Sequence, residues 1–122
     1  MKIWYQSSGA LKVDAIWGRY LEALKRNIQK VVRSDTTIHF YGVEVYIPEK
    51  DRFRSHEYLN NIQIVRNALR AEEQGYDAFI VGSTIDPGYQ EIKEILQIPV
   101  AFIGETAMHI ASMIGEIFND CE

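Results

Sequence analysis

The feature that most constrains the fold is a pattern that occurs four times along the chain: a short apolar run followed by a segment with helical periodicity. The runs are rich in β-branched and aromatic residues and cover Lys2–Gln6, Thr36–Gly42, Asp77–Gly82 and Ile98–Gly104. In the last two runs, the residues on both faces of the predicted strand are apolar, which is typical of parallel strands covered by helices on both faces. Because crossovers between parallel strands are right-handed, the pattern predicts a parallel sheet between two helical layers.

The helical segments set the rest of the architecture. The first is predicted to run to about Arg33, and the second to end at Gly75, a residue favoured just after a helix. The apolar face of the second helix is predicted to consist of Leu59, Ile62, Val65 and Leu69. We expect one α/β domain over residues 1–122, with a flavodoxin-like three-layer α/β/α fold and a four-stranded parallel sheet in the order 2-1-3-4.

Composition and charge narrow the possible partners. A formal net charge of −4 argues against binding to nucleic acid or to an anionic membrane surface. No apolar stretch approaches the roughly 20 residues that a membrane span needs. Cys121 is the single cysteine, which favours a reducing compartment, and the amino end is too short and polar for a secretory signal. The sequence therefore predicts a cytoplasmic protein.

A ligand site is expected where two loops meet. In an open parallel sheet, ligands bind beyond the carboxyl ends of the strands, near the point where the strand order reverses. The loops there are Gln6–Ala10 and Gly82–Gly88, and the backbone N–H groups of such loops suit a carboxylate. The candidate substrate-binding residues are Gln6, Ser7, Ser8, Ser83, Thr84 and Asp86. The alternative is that both loops hold only caps and turns, with Asp86 capping the following helix and Pro87 in its first position.

The other polar candidates are three histidines and two loop arginines. We interpret His39, inside a predicted strand, and His109, beside the apolar face of the last helix, as structural; His56 begins the second helix as a surface residue. The histidines lack metal-ligand spacing, so no metal is expected. Neither loop has a dinucleotide or P-loop fingerprint, so no cofactor is expected. Arg52 and Arg54 are either carboxylate ligands or solvated loop charges.

The second half of the chain carries a specific resemblance. The stretch "YDAFIVGSTIDPGYQEIKEILQIPVAFIGETAMHIASMIG", residues 76–115, closely resembles the Asp/Glu/hydantoin racemase family, and "MKIWYQSS" resembles the family's first strand and carboxylate-binding loop. The matching residues are Gly82, Asp86, Pro87, Gly88, Ile98, Pro99, Val100, Gly104, Glu105, Ala107, Met108 and His109.

This resemblance implies a cofactor-independent isomerase of amino-acid metabolism. Family members have two similar α/β domains, and one thiol from each flanks the substrate carbon, so that one removes the α-proton and the other returns one on the opposite face. Ser83 occupies the position of the first thiol and is the candidate catalytic residue. The second thiol has no counterpart, because the chain ends after "GEIFNDCE" and Cys121 does not match its context.

Two hypotheses follow. In the first, the chain is the first domain of a racemase-like enzyme acting on a small carboxylate of the amino-acid or hydantoin class, active only when a second domain or subunit completes the site. In the second, it is a non-catalytic carboxylate-binding or dimerising module. The last helix carries a wide apolar surface, formed by Ile110, Met113, Ile114, Ile117 and Phe118, and a homodimer is expected if no second domain covers part of it.

Overall fold

The fold is an α/β domain of four strands and four helices in strict alternation. The computed structural model describes residues 1–12 and 15–115, and the side chains of residues 1–12 and 17–115. Its elements are β1 (Lys2–Gln6), α1 (Ala15–Gln29), β2 (Thr37–Tyr41), α2 (Arg54–Glu73), β3 (Ala78–Val81), α3 (Tyr89–Ile95), β4 (Val100–Phe102) and α4 (Ile103–Ile114). All strands are parallel, in the order β2-β1-β3-β4. The predicted α/β, flavodoxin-like fold and its strand order are confirmed.

The helix ends differ in detail from the prediction. Gly75 has a φ of 76° and follows α2, as predicted, because only glycine adopts this left-handed conformation without steric cost. The first helix ends at Gln29 rather than Arg33, since the next two amides bond to carbonyls only three residues back, as in Lys30 to Asn27. The predicted contributions of Ile117 and Phe118 to the last helix lie outside the described residues.

The hydrophobic core lies on one face of the sheet, under α2 and α3. Trp4, Phe79 and Phe102 project from three strands toward these helices. Ile64 and Ile92, from α2 and α3, are fully buried against them. This face therefore holds most of the apolar area that folding removes from water.

The predicted apolar face of α2 is wrong at two of its four positions: Val65 packs against the core and Ile62 is half-buried, but the two leucines face solvent. Leu59 and Leu69 are 51% and 41% exposed. The helix instead buries a stripe of smaller and polar residues: Asn60, Ile64, Asn67, Ala68 and Ala71. The aromatic side chains of the sheet already fill the space under α2, so alanines allow a close approach there and the two asparagines serve buried hydrogen bonds.

Candidate functional site

The two loops named by the sequence emerge side by side at the carboxyl end of the sheet. β1 and β3 are neighbours, with Gln6 opposite Val81. The Gly82 amide donates to the Gln6 carbonyl at 2.8 Å, which joins the two chains where the loops begin. This is the point at which the strand order reverses, so the predicted location of the site coincides with a real junction of loops.

Gln6 supports the first loop from below instead of lining it. Its side chain is fully buried, and its Oε1 accepts hydrogen bonds from Trp4 Nε1 at 2.9 Å and Asn67 Nδ2 at 3.0 Å. Its Nε2 donates to the Ser7 carbonyl at 2.9 Å. These bonds anchor the start of the loop to the core, and the amide has no exposed surface to offer a ligand.

The serines of the first loop have different environments. Ser7 is buried, and its Oγ accepts from the Gly9 amide at 3.2 Å, which fixes the turn. Ser8 is half-buried, and its carbonyl accepts from Asn60 Nδ2 at 3.1 Å. The Oδ1 of Asn60 is buried without a hydrogen-bond partner among the described residues. Ser8 is thus the serine of this loop whose side chain reaches the surface.

Asp86 shapes the second loop through a long-range cap. Its carboxylate accepts from the Gly104 amide at 2.9 Å and the Glu105 amide at 2.7 Å, in the first turn of α4. The predicted cap of the following helix is therefore wrong, because α3 begins at Tyr89 and its N-cap is Gly88. Asp86 also has a φ of 47°, a left-handed conformation that aspartate tolerates better than most residues. The carboxylate is committed to holding the loop against α4.

The Tyr5 ring packs beneath Gly82, where the second loop begins. A Cβ at Gly82 would overlap the Tyr5 ring, so a glycine is needed where this strand ends. Burial raises the pKa of the Tyr5 hydroxyl, and the neighbouring Tyr20 raises it further. The hydroxyl is therefore protonated at neutral pH, where it acts as a hydrogen-bonding group and not as a base.

The exposed part of the second loop offers backbone donors. Ser83 is half-buried and Thr84 exposed, in a turn closed by the Asp86 amide bonding to the Ser83 carbonyl at 3.1 Å. Within the described residues, the amides of Ser83, Thr84 and Ile85 donate no hydrogen bond. Successive unpaired N–H groups in a turn attract anions. No titratable side chain among the described residues is hydrogen-bonded to Ser83.

A charged cluster links α3 and α4 beside this loop. Glu105 Oε1 accepts from Lys93 Nζ and from the Tyr89 hydroxyl, both at 2.7 Å. The hydrogen bond from Lys93 lowers the pKa of Glu105, and that from Tyr89 lowers it further. The hydrogen bond to Glu105 correspondingly raises the pKa of Lys93. Glu105 is therefore ionised and already paired, which suits it to fixing α4 against α3.

Among the described residues, neither the histidines nor Arg52 and Arg54 are hydrogen-bonded to the two loops. His39 Nδ1 is 2.7 Å from the Tyr76 hydroxyl, and His56 Nδ1 is 2.7 Å from the Pro48 carbonyl. His109 is exposed and 3.9 Å from Glu105, and Arg52 pairs with Glu49 at 3.5 Å. Arg54 lines a separate shallow depression with Glu57, Tyr58 and Asn61.

In the part of the chain that the structure describes, the two loops form no metal site and do not line the cleft beside the outer strand. The described residues contain no group of three or more histidine, cysteine or acidic side chains placed to hold a metal ion. A cleft of about 850 Å³ follows the outer strand β2 and includes His39, Tyr41 and Tyr76 in its wall, but no residue of 6–10 or 82–88. Burial and a hydrogen bond with Tyr41 raise the pKa of Tyr76 to about 12.

Sequence reasoning missed the residues that support the loops from α2. Asn60 and Asn67 are both buried, and they bond to the Ser8 carbonyl and to Gln6. A signal was present, because the two asparagines are seven residues apart and flank Ile64, which places all three on one side of a helix.

These features define a class: a doubly wound α/β domain with a candidate anion site where its strand order reverses. The sequence pattern of "Asp/Glu/Hydantoin racemase" matches residues 19–119. Since this match covers most of the 122 residues, the chain belongs to the Asp/Glu/hydantoin racemase family.

Individual relatives match parts of the chain. A hydantoin racemase from Pseudomonas sp. (strain NS671) is 33% identical over 63 residues, which are 52% of this chain and 25% of that protein. A hydantoin racemase from Paenarthrobacter aurescens is 31% identical over 64 residues, or 52% of this chain and 27% of that protein. These alignments span about a quarter of each curated relative.

A solved structure supports the fold. Allantoin racemase from Klebsiella pneumoniae superposes with a TM-score of 0.75 at 23% identity, over 93% of this chain and 43% of that one. At this identity the likeness shows the shared fold alone. No helix of the described residues is long and apolar enough to cross a membrane.

Proposed function

We propose that this racemase-family domain binds a small amino-acid carboxylate, or the carbonyl oxygens of a hydantoin, between its two loops. The observation that carries the proposal is the turn at Ser83–Ile85, whose three amides donate no hydrogen bond to a described residue. The surface-reaching Ser8, together with Ser83 and Thr84, adds hydroxyls at the same junction. Such a set of donors suits a carboxylate or a carbonyl oxygen.

In this proposal, isomerisation requires a second domain or subunit. Inverting the α-carbon without a cofactor needs one group to remove the α-proton and another to deliver a proton from the opposite face, so that the product has the same composition as the substrate. Ser83 takes the position of the first thiol in the resemblance, but an alcohol is a far weaker acid, and no titratable side chain of the described residues is hydrogen-bonded to it. The domain thus supplies binding and orientation, and its partner supplies the acid–base chemistry.

The relatives' names support the substrate class. The two hydantoin racemases are named for a small, polar, nitrogen-containing substrate with carbonyl groups. A cytoplasmic location and residues 1–122 as a first α/β domain belong to the same proposal. The second candidate function is a carboxylate-binding or dimerising module without catalysis, which the serine at position 83 favours.

Proton NMR in D₂O with a panel of chiral amino acids, other small carboxylates and hydantoins tests the proposal. We expect ligand line-broadening without loss of the α-proton signal. Thr84→Pro removes one donor at a turn position that proline fits, and should weaken binding roughly tenfold, the loss of one hydrogen bond to a charged group. Thr84→Ala keeps the amide and is the matched control.

The outcomes separate the two functions. Loss of the α-proton signal above the protein-free control would show that this chain has a working base and overturn the need for a partner. Absence of broadening across the panel, or equal binding by Thr84→Pro and the unmodified chain, would overturn the proposed site.

A further inference from the structure

Three aromatic rings and an imidazole form one continuous cluster on the β2 side of the sheet. Trp4 stacks on Tyr41 with ring centroids 3.6 Å apart and meets the edge of Tyr76 at 5.2 Å. The Tyr76 hydroxyl lies 2.8 Å from that of Tyr41 and 2.7 Å from His39 Nδ1. The cluster therefore leads from a buried indole to an exposed imidazole, and none of its residues belongs to the two loops.

The hydrogen bonds of this cluster have a definite direction when His39 is neutral. With the imidazole proton on Nε2, Nδ1 accepts from the Tyr76 hydroxyl, and the Tyr76 oxygen accepts from Tyr41. The pKa of Tyr76, raised to about 12, keeps the phenol protonated at neutral pH. Because His39 is exposed, a proton that reaches its ring exchanges with water.

The buried indole and the buried phenol differ in the acceptor that each one contacts. Trp4 Nε1 donates to the Gln6 amide oxygen at 2.9 Å, and an amide oxygen does not take up a proton near neutral pH. The phenol of Tyr76 contacts an imidazole instead, a base with an ordinary pKa of about 6.5. Loss of an electron makes a phenol strongly acidic, so Tyr76 has a base ready where Trp4 has none.

Lys2 makes the removal of that proton necessary. Its Nζ lies 4.0 Å from the centroid of the Tyr76 ring. A fixed positive charge beside the ring disfavours a positively charged phenol. Tyr76 therefore loses an electron favourably only when its proton moves to His39 at the same time.

We propose that Trp4, Tyr76 and His39 form a redox relay, which carries a one-electron oxidation of the buried indole to the protein surface. When a one-electron oxidant takes an electron from Trp4, an electron from Tyr76 replaces it and the phenolic proton moves to His39 Nδ1. The products are the restored indole, a neutral tyrosyl radical and an imidazolium. The hydrogen bond from Tyr41 to the Tyr76 oxygen stabilises this radical.

A thiolate in solution completes the cycle. It gives one electron to Tyr76 and becomes a thiyl radical, while His39 returns the proton to the phenol oxygen. The relay thereby preserves the indole whose N–H anchors Gln6 beneath the first loop. It does not depend on the proposed carboxylate site, since it needs no ligand between the loops.

Laser flash photolysis tests the relay. The variant Trp17→Phe leaves Trp4 as the single tryptophan, and a flash then photoionises Trp4 while a scavenger removes the ejected electron. We expect tryptophanyl absorption to decay as tyrosyl absorption appears. His39→Gln keeps a hydrogen-bonding side chain without a base and should slow this conversion about a hundredfold, the lower end of what a positioned base contributes. His109→Gln, at an exposed position of α4, is the matched control and should leave the rate unchanged.

A second pair of variants identifies the electron donor. With Tyr76→Phe the tryptophanyl radical should persist, whereas Tyr58→Phe, on the exposed side of α2, should convert at the parent rate. Circular dichroism checks the fold of each variant. If Tyr76→Phe disturbs it, the comparison of His39→Gln with its control decides alone, because His39 is exposed.

The results that would overturn the relay are specific. They are the absence of a tyrosyl radical in the Trp17→Phe chain, equal rates in the presence and absence of His39, or conversion that survives Tyr76→Phe in a folded chain. Equal rates in H₂O and D₂O would contradict the coupled transfer of the proton. A tyrosyl lifetime that an added thiol does not shorten would overturn the return step.

Discussion

At the scale of single residues, the Asp-Pro-Gly motif owes its form to a distant pair of amides. Asp86 accepts hydrogen bonds from Gly104 and Glu105, and a Cβ at Gly104 would lie 2.7 Å from the Asp86 carboxylate. The Asp86 carboxylate can therefore lie this close only to a glycine at position 104, and the Gly104 amide depends on that carboxylate as its acceptor. This contact sets the turn that presents the amides of Ser83–Ile85, so the motif positions the candidate site without touching a ligand.

Replacing Asp86 by alanine should lower the free energy of unfolding by about 1–3 kcal/mol, because two partly buried amides lose a charged acceptor. Urea unfolding followed by circular dichroism measures the change. Asp51→Ala is the matched control: Asp51 is exposed and paired with Lys50 at 2.7 Å, and such surface pairs contribute roughly 0–1 kcal/mol. Equal losses in the two variants would contradict the role of Asp86.

The Glu105–Lys93 ion pair predicts that the free energy of unfolding falls as the pH is lowered into the acid range. The pKa of Glu105 is lowered from its ordinary value of 4.5, so the pair stabilises the fold above that value and is lost as pH falls through the lower, folded-state pKa. The urea midpoint of the unmodified chain should exceed that of Glu105→Gln at neutral pH, and the gap should close in acid. Glu94→Gln, at an exposed position of α3, is the control; a gap that persists unchanged in acid would contradict the prediction.

At the scale of elements, α2 shows why an apolar stripe is not always a buried one. Its sequence contains two possible stripes, and the larger residues Leu59 and Leu69 lie on the exposed one. The buried stripe is smaller because the aromatic side chains of the sheet, such as Trp4 and Phe79, occupy the space beneath it. Periodicity alone does not tell which stripe meets a crowded surface.

Alanine substitutions distinguish the two stripes of α2. Ile64→Ala should lower the free energy of unfolding by about 2–5 kcal/mol, because it leaves a cavity at a fully buried position. Leu59→Ala removes a similar volume from a side chain that is 51% exposed and should change stability by less than about 1 kcal/mol. Urea unfolding compares the two; a larger loss for Leu59→Ala would reinstate the stripe predicted from sequence.

The elements and their order were predictable, whereas the directions of the site's side chains were only partly so. Apolar runs and right-handed crossovers predict a parallel sheet between helices, and the order β2-β1-β3-β4 was the flavodoxin-like arrangement of such elements. The burial of Gln6 was also implicit, because side chains alternate along a strand and Gln6 points to the same face as Trp4. The cap from Asp86 to α4 joins residues 18 positions apart, and no local pattern encodes a contact of that kind.

At the scale of the whole molecule, stability is unevenly distributed between the two faces of the sheet. One face is sealed by α2 and α3, whereas α4 has no buried residue. Local opening is easiest where few apolar contacts are lost. The domain is therefore expected to open more easily at α4 than on the side of α2 and α3, where the two loops are anchored to the core.

Hydrogen exchange should show this division directly. In dilute solution we expect amides of the interior strands β1 and β3 to exchange slowest and those of α4 fastest, because opening α4 exposes little additional apolar surface. Mass spectrometry of peptides covering α4 and β1 measures both rates. Protection of α4 that is as strong as that of β1 in dilute solution would show that the helix is already packed within one chain.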